Sequence, residues 1–262
     1  MTIAKLHQLL GVLKFEGMTR VIDQIIENAE KNATSTSVVI TDLLEQELRH
    51  RKERSLINRI KNAGMPHDWS LTTFPFPNQP DVNKRQIMDL ANIDFLVRGE
   101  SIVFIGPPGA GKTGLAIGLL REALVSGYRG RFYNVQDLVN DLYSSLADRS
   151  TPKLLKHLCR YDILVLDELG YLKFNTEQAN AFFKLMAERY QAGKSTIITS
   201  NLDYPDWYGL FDTKNMVDAL LERLQHRCVT IHIKGSSLRK KRNDIPPHTR
   251  RSPASVTKSD PN

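Results

Sequence analysis

A glycine-rich segment near the middle of the chain could bind the phosphates of a nucleotide. It reads GPPGAGKT and consists of Gly106, Pro107, Pro108, Gly109, Ala110, Gly111, Lys112 and Thr113. In such a loop the backbone N–H groups converge on a phosphate, the lysine bridges the terminal phosphates and the threonine hydroxyl binds Mg²⁺. The segment follows the apolar strand pattern SIVFI and precedes an apolar helical pattern, which is the setting that this loop requires. We therefore expect ATP and Mg²⁺ to bind here.

Two carboxylates, Asp167 and Glu168, end another apolar strand pattern. Because α/β sheets bind ligands at the carboxyl ends of their strands, we expect both residues to lie beside the glycine-rich loop. Asp167 is suited to hold Mg²⁺ through its water shell, and Glu168 to orient a water for in-line attack on the γ-phosphate. A small-molecule kinase must exclude water from its site, so Glu168 favours an ATPase over a kinase.

Asn201 follows the strand pattern STIITS, and its amide could donate to the γ-phosphate and help to place the attacking water. Considered alone, Asn201 would be interpreted as a turn residue. Its assignment to the site therefore depends on the two motifs before it.

Five apolar segments separated by helical patterns predict an α/β fold with a mostly parallel five-stranded sheet flanked by helices. The segments are Ser101–Ile105, Arg131–Val135, Asp162–Asp167, Ser195–Ser200 and Val229–Ile233. Ahead of them, apolar residues at helical spacing predict a small all-helical module, with Leu6, Leu9, Leu10 and Leu13 on one face and Leu43, Leu44 and Leu48 opening a later helix.

Composition divides the chain into four parts: a helical domain at 1–65 for oligomerisation, DNA or partner binding, a Pro-rich linker at 66–81, an ATPase domain at 82–237 and a basic tail at 238–262. Phe74 and Phe76 are too apolar for a free linker, so we expect them to pack on the next domain. The tail is polar and Pro-rich, and we expect it to be disordered.

Basic residues concentrate in two predicted helices. The last helix of the N-terminal module carries Arg49, Arg51, Lys52, Arg54, Arg59 and Lys61 against the single acid Glu53. In TPKLLKHLCRY, helical spacing puts Lys153, Lys156 and Arg160 on one side and leucines on the other. Either basic face could contact an anionic partner or be merely solvated.

Composition excludes several classes of protein. The chain has 262 residues and a net charge of +7, and no apolar run approaches the roughly 20 residues of a membrane span. Lys5, His7 and Lys14 interrupt the apolar N-terminus, which argues against a secretory signal. Two distant cysteines, Cys159 and Cys228, encode neither a disulfide framework nor a zinc site. We expect a cytoplasmic protein with no membrane partner.

Together these motifs resemble the AAA+ ATPases, and within them the initiator and helicase-loader branch that contains DnaA, DnaC and the IstB-type transposition helper proteins. The chain is most similar to the IstB type through LLEQELRHRKERSLINRIKNAGMP, GPPGAGKT, ILVLDELGYL, IITSNL, LLERLQHRC and GSSLR. The resemblance implies an ATPase that forms homo-oligomers through its AAA+ domains, binds double-stranded DNA and helps a transposase. The alternative is a DnaC-like loader of a replicative helicase.

The resemblance also implies roles for further residues. Arg223 matches the arginine finger that AAA+ relatives insert into a neighbour's ATP site, and Arg239 matches a second sensor of the γ-phosphate. Initiator-type relatives place a DNA-tracking helical element near Lys153, Lys156 and Arg160, which favours phosphate contacts for these three. The residues after Gly235 lack helical periodicity, so we expect no C-terminal lid domain.

Overall fold

The computed structural model describes residues 3–211 and 213–238. Three helices come first: α1 (Ile3–Val12), α2 (Glu16–Asn32) and α3 (Thr36–Ala63). The α/β part then runs through α4 (Lys84–Leu90), α5 (Asp94–Arg98), β1 (Ser101–Ile105), α6 (Lys112–Val125), β2 (Gly130–Asn134), α7 (Val135–Ala147), α8 (Thr151–Leu158), β3 (Ile163–Leu169), α9 (Thr176–Gln191), β4 (Ser195–Ser200), α10 (Lys214–His226) and β5 (Cys228–His232).

The five strands form one sheet in the order β2-β3-β4-β1-β5. All the neighbouring pairs are parallel, so the expected α/β fold with a parallel five-stranded sheet is confirmed. The carboxyl ends of β1, β3 and β4 lie side by side at one edge of the sheet. This arrangement brings the glycine-rich loop, the two carboxylates and Asn201 together.

Alternate strand residues face two separate cores, as the two-residue repeat of a strand requires. Ile102 and Phe104 of β1 pack with α4, α5 and α6 on one face of the sheet. Val103 and Ile105 pack with α7, α8, α9 and α10 on the other. Helices on both faces explain why consecutive residues are apolar in β1 (SIVFI) and at the start of β3 (ILVL), instead of alternating with polar residues.

Arg189 of α9 fixes the end of α8. Its side chain is fully buried and donates to the carbonyl oxygens of Leu158, Tyr161 and Ser195. Burial lowers the pKa of the Arg189 guanidinium to about 10, so it stays protonated at neutral pH. The short helix α8 is therefore anchored to the sheet through a charged side chain whose hydrogen bonds all go to neutral oxygens.

The N-terminal module contains the expected helices, but its buried face differs from the apolar pattern. Leu44 and Leu48 are 55% and 53% exposed, whereas Glu47 between them is buried. The Glu47 carboxylate accepts hydrogen bonds from the backbone N–H groups of Gly17 and Met18. It thereby caps the first turn of α2, because those N–H groups have no partner within their own helix.

The Pro-rich segment packs against the helix that follows the glycine-rich loop. A side chain at Gly118 would place its Cβ 2.5 Å from Leu71, and one at Gly114 would lie 2.3 Å from the ring of Trp69. Phe74 is buried in the same core, as expected. Two short 3-10 helices, Leu71–Thr73 and Phe76–Asn78, supply the compact backbone that this contact needs.

The chain passes back over the loop after β5. The backbone N–H of Leu238 donates to the carbonyl of Gly109 at 2.8 Å, and no helix follows β5 among the residues up to 238 that the structure describes. The basic tail beyond Leu238 lies outside the described residues. In the described part, no helix is long and apolar enough to cross a membrane.

Candidate nucleotide-binding site

The glycine-rich loop adopts the conformation that its glycines allow. Gly109 and Gly111 have φ angles of +80° and +97°, a region that residues with a side chain rarely enter. Gly111 ends the loop, and α6 begins at Lys112. The Lys112 Nζ donates to the carbonyls of Gly106 and Pro107 at 2.7 and 2.9 Å. The ammonium group is thus held over the loop, where a bound phosphate would meet it.

Asp167 is the centre of a hydroxyl network. The Thr113 hydroxyl donates to its carboxylate at 2.9 Å, and the Thr199 hydroxyl donates to it at 2.6 Å. The residue is only 5% exposed, and burial raises the pKa of its carboxyl above the ordinary value, although the two hydroxyl groups oppose that rise. A divalent cation would favour the charged form, so the donor set fits Mg²⁺.

Glu168 points to solvent because the strand is irregular at this position. Its φ is +67°, and the pairing of β3 with β4 shifts register between Leu166 and Leu169. Because of this irregularity, Glu168 is exposed although it directly follows the buried residue Asp167. Such left-handed conformations are strained and cluster at functional sites.

Asn134 at the end of β2 holds the Glu168 carboxylate. Its side-chain Nδ2 donates to Glu168 Oε2 at 2.8 Å. The Oδ1 of the same side chain accepts from the N–H of Gln136 and caps α7. One asparagine therefore links the start of a helix to the candidate water-orienting residue.

These residues line a cleft of about 770 Å³, a size suited to a nucleotide. Its walls include Lys112, Thr113, Asp167, Glu168 and Asn201. The side-chain oxygen of Asn201 is buried and has no hydrogen-bond partner among the described residues. A buried polar atom without a partner is costly, and a phosphate-bound water would satisfy it. The cleft therefore fits a magnesium–nucleotide complex.

The structure does not bring every predicted residue to this cleft. Arg223 lies near Ser101 and Thr196, where β1 and β4 begin. It is separated from the glycine-rich loop by the length of the sheet, about 16 Å for a five-residue strand. Lys153, Lys156 and Arg160 are exposed on or just after α8. Arg239 lies outside the described residues.

Sequence reasoning missed Thr199 and Asn134. Asn134 is the last residue of β2 and Thr199 the next to last of β4. A polar residue at the carboxyl end of a strand is the sequence feature that could have identified both. Thr199 looked like an ordinary strand residue because its hydroxyl contacts depend on how β3 and β4 pair. Asn134 lies beside Asp167 because of the register in which β2 pairs with β3, and the sequence does not state that register.

Comparisons with known proteins agree with this geometry. The family model described as IstB-like ATP binding protein matches residues 8–245. An ATP-binding protein of insertion sequence IS21 from Pseudomonas aeruginosa is 35% identical over 237 residues, which cover 90% of this chain and 89% of that protein. One of insertion sequence IS5376 from Geobacillus stearothermophilus is 34% identical over 90% of this chain and 93% of its own length.

Solved structures match about two thirds of the chain. The crystal structure of the DnaC helicase loader has a TM-score of 0.56 and 26% identity, and the match covers 63% of this chain and 96% of that one. DnaA from Aquifex aeolicus bound to AMPPCP has a TM-score of 0.55 at 18% identity, covering 65% of this chain and 51% of that one. At this identity, the DnaA match supports the fold alone.

Proposed function

The chain belongs to the family of IstB-like ATP binding proteins, and from this premise we propose that it is an ATP-hydrolysing switch that assembles on duplex DNA and assists a transposase. The protein is a P-loop ATPase of the AAA+ type. The observation that carries the proposal is the network around Asp167, which ties Thr113 of the loop to the carboxyl ends of β3 and β4.

Each residue of the cleft has a distinct task in hydrolysis. Lys112 and the loop N–H groups bind the phosphates, and Thr113 and Asp167 would hold Mg²⁺. When bound there, Mg²⁺ would neutralise negative charge on the phosphate oxygens. Glu168 orients and polarises the attacking water, and Asn201 positions it against the γ-phosphate. A carboxylate that can activate water beside the phosphates favours ATP hydrolysis over phosphate transfer to another substrate.

A second copy of the chain completes the site. Within one chain Arg223 lies near the amino ends of β1 and β4, whereas Lys112 lies at the carboxyl ends of the strands. Arg223 therefore cannot reach the nucleotide of its own chain. An arginine from a neighbour would stabilise the charge that develops during phosphoryl transfer. We therefore propose that hydrolysis depends on assembly through the AAA+ domains.

The proposed DNA contacts lie on α8. Leu155 and Leu158 are buried, whereas Lys153, Lys156 and Arg160 are exposed. The segment Thr151–Tyr161 contains no acidic residue, so these cations keep their charge available for phosphates. The insertion-sequence relatives support a transposase as the partner that reads the assembled state.

A DnaC-like loader of a replicative helicase is the second candidate, favoured by the structural match to the DnaC helicase loader. That match covers 63% of the chain, whereas the insertion-sequence relatives align over about nine-tenths of it, including most of its helical start. The longer alignment supports the transposition role.

Binding to a long duplex, measured with ATP and without nucleotide, tests the proposal. We expect ATP to strengthen binding of the intact protein through assembly. Lys112→Ala should lose this effect, because a charge-assisted hydrogen bond to phosphate contributes about 1.5–3 kcal/mol. Glu168→Gln should keep ATP-dependent binding and lose turnover by about 100-fold or more.

Replacing Lys153, Lys156 and Arg160 together with glutamine should weaken DNA binding while ATP binding stays unchanged. If the intact protein shows no ATP-dependent binding to DNA at low salt, the proposed function fails, and a small-molecule kinase becomes the better interpretation of the same cleft.

A further inference from the structure

A second groove lies between the N-terminal helices and the sheet. It has a volume of about 670 Å³ and runs between α3, the start of β2 and the end of α8. Its walls carry the cations Arg51, Arg54, Arg59, Arg129 and Arg131, and no acidic residue lines it. We call it the α3–β2 groove. The sequence shows the two basic helices separately, and only the fold brings them to one surface.

Three of the five guanidinium groups form no ion pair in the part of the chain that the structure describes, although Arg129 lies close enough to Asp162 for their charges to interact. Arg51 pairs with Glu47 and Arg54 pairs with Glu16, at 2.6 and 2.9 Å. Within the described residues, Arg59, Arg129 and Arg131 make no ion pair. Arg59 donates to the carbonyl of Leu124 and to a serine hydroxyl, and both acceptors are neutral. The groove therefore keeps an excess of positive charge.

Arg131 also carries an unsatisfied donor. One of its terminal nitrogens donates to the carbonyl of Asn62 at 2.7 Å. Its Nε–H is buried and has no hydrogen-bond partner among the described residues. An unpaired buried donor on a cation favours an anionic oxygen as its partner.

The polar residues of α3 form a straight row along the groove. Arg51, Arg54, Asn58 and Asn62 recur at spacings of three or four residues, which places them on one side of a helix. The row spans about 16 Å, and over that length of duplex axis one strand of B-DNA carries roughly five phosphates. Arginine and asparagine are common donors to the DNA backbone.

The groove is continuous with the basic face of α8. His157 and Tyr161 line its far side. By helical spacing, His157 shares a face with Lys153, Lys156 and Arg160. A ligand that lies in the groove and continues along α8 meets the groove arginines first and then the cations of α8, and no acidic side chain of the described residues lines the groove itself. A polymer with regularly spaced negative charges matches this surface better than a short acidic peptide.

We propose that the α3–β2 groove binds the sugar–phosphate backbone of DNA, so that the N-terminal module and α8 hold one strand together. The inference rests on the proposed function, which includes DNA binding, and adds a surface on the N-terminal module to it. The contacts are to phosphates, so the groove is expected to bind DNA without preference for sequence.

The test is the salt dependence of binding to a long duplex in the presence of ATP. Removing one cation that neutralises a phosphate should lower the slope of log affinity against log salt by about 0.9. We expect a decrease of about 2 for the double variant Arg59→Gln/Arg129→Gln and about 1 for Arg129→Gln. The double variant loses the hydrogen bond from Arg59 to the carbonyl of Leu124 and could unfold for that reason. The single variant Arg129→Gln does not carry this risk, because the Arg129 side chain makes no hydrogen bond within the described residues.

Two controls separate charge at this site from charge in general. Arg85→Gln/Lys184→Gln removes two exposed cations that do not line the groove, and it should leave the slope unchanged. Arg59→Lys/Arg129→Lys keeps both charges and should restore most of the slope.

Other results would overturn the inference in distinguishable ways. If the intact protein binds no DNA, the proposed function fails as well. If substitutions on α8 weaken DNA binding and the groove variants do not, the function stands and the groove is not part of the DNA site. If the groove variants lose binding to poly-L-glutamate but keep DNA affinity and slope, the groove serves an acidic protein partner instead.

Discussion

Asp167 is held in an environment that opposes its own charge. Burial raises the pKa of its carboxyl, and the hydroxyl groups of Thr199 and Thr113 compensate only in part. A group whose pKa is raised on folding favours the folded state when it is protonated and disfavours it when it is ionised. The residue that the mechanism assigns to Mg²⁺ is therefore expected to reduce the stability of the protein alone at neutral pH.

Replacing Asp167 with asparagine should separate stability from activity. Without nucleotide or Mg²⁺, we expect Asp167→Asn to raise the free energy of unfolding at pH 7, because the amide carries no charge to be desolvated. The gain should shrink as the pH is lowered through the raised pKa, since the wild-type carboxyl then becomes neutral too. Thermal melts of both proteins across pH measure this, with ATP turnover lost in the variant. An equal or lower melting temperature at pH 7 would contradict the argument.

At the scale of elements, the fit of the Pro-rich segment onto α6 depends on glycine. In an exposed helix, alanine in place of glycine stabilises by about 0.5–1 kcal/mol. At Gly118 the added methyl would meet the side chain of Leu71, which is itself buried and cannot move aside. At Gly118 we therefore expect the steric cost of a methyl group against Leu71 to exceed the gain in helix propensity from alanine.

Gly118→Ala should accordingly destabilise the protein by about 1–3 kcal/mol, the usual cost of overpacking. Gly11→Ala is the matched control, because Gly11 also lies in a helix and a methyl group there would meet nothing within 4 Å. It should be neutral or slightly stabilising. Urea unfolding of the two variants provides the comparison, and an equal effect at both positions would argue against the packing explanation.

At the scale of the whole molecule, local motifs predict the sheet and the nucleotide cleft well. The neighbouring strand and helix patterns identify three motifs: GPPGAGKT, the strand ending in Asp167 and the strand before Asn201. Parallel pairing then brings the carboxyl ends of these strands together. Thr199 and Asn134 escape prediction because their contacts depend on register between strands.

The helical module shows a second limit of the sequence. Leu44 and Leu48 follow a helical repeat, yet capping of α2 turns Glu47 inward and leaves these leucines exposed. The α3–β2 groove is a third case, since nothing in the sequence places Arg59 beside Arg129. Tertiary packing decides each of these features.

We propose above that hydrolysis depends on neighbouring subunits, which assemble on DNA. The most direct test is ATP turnover per protein molecule against duplex length, at a fixed total concentration of base pairs. Since we propose that a neighbour supplies Arg223, we predict that turnover rises with length once several subunits fit side by side, and that Arg223→Ala binds ATP yet stays at the rate seen without DNA. Turnover that is the same at every duplex length, with DNA binding intact, would mean that hydrolysis does not depend on neighbouring subunits.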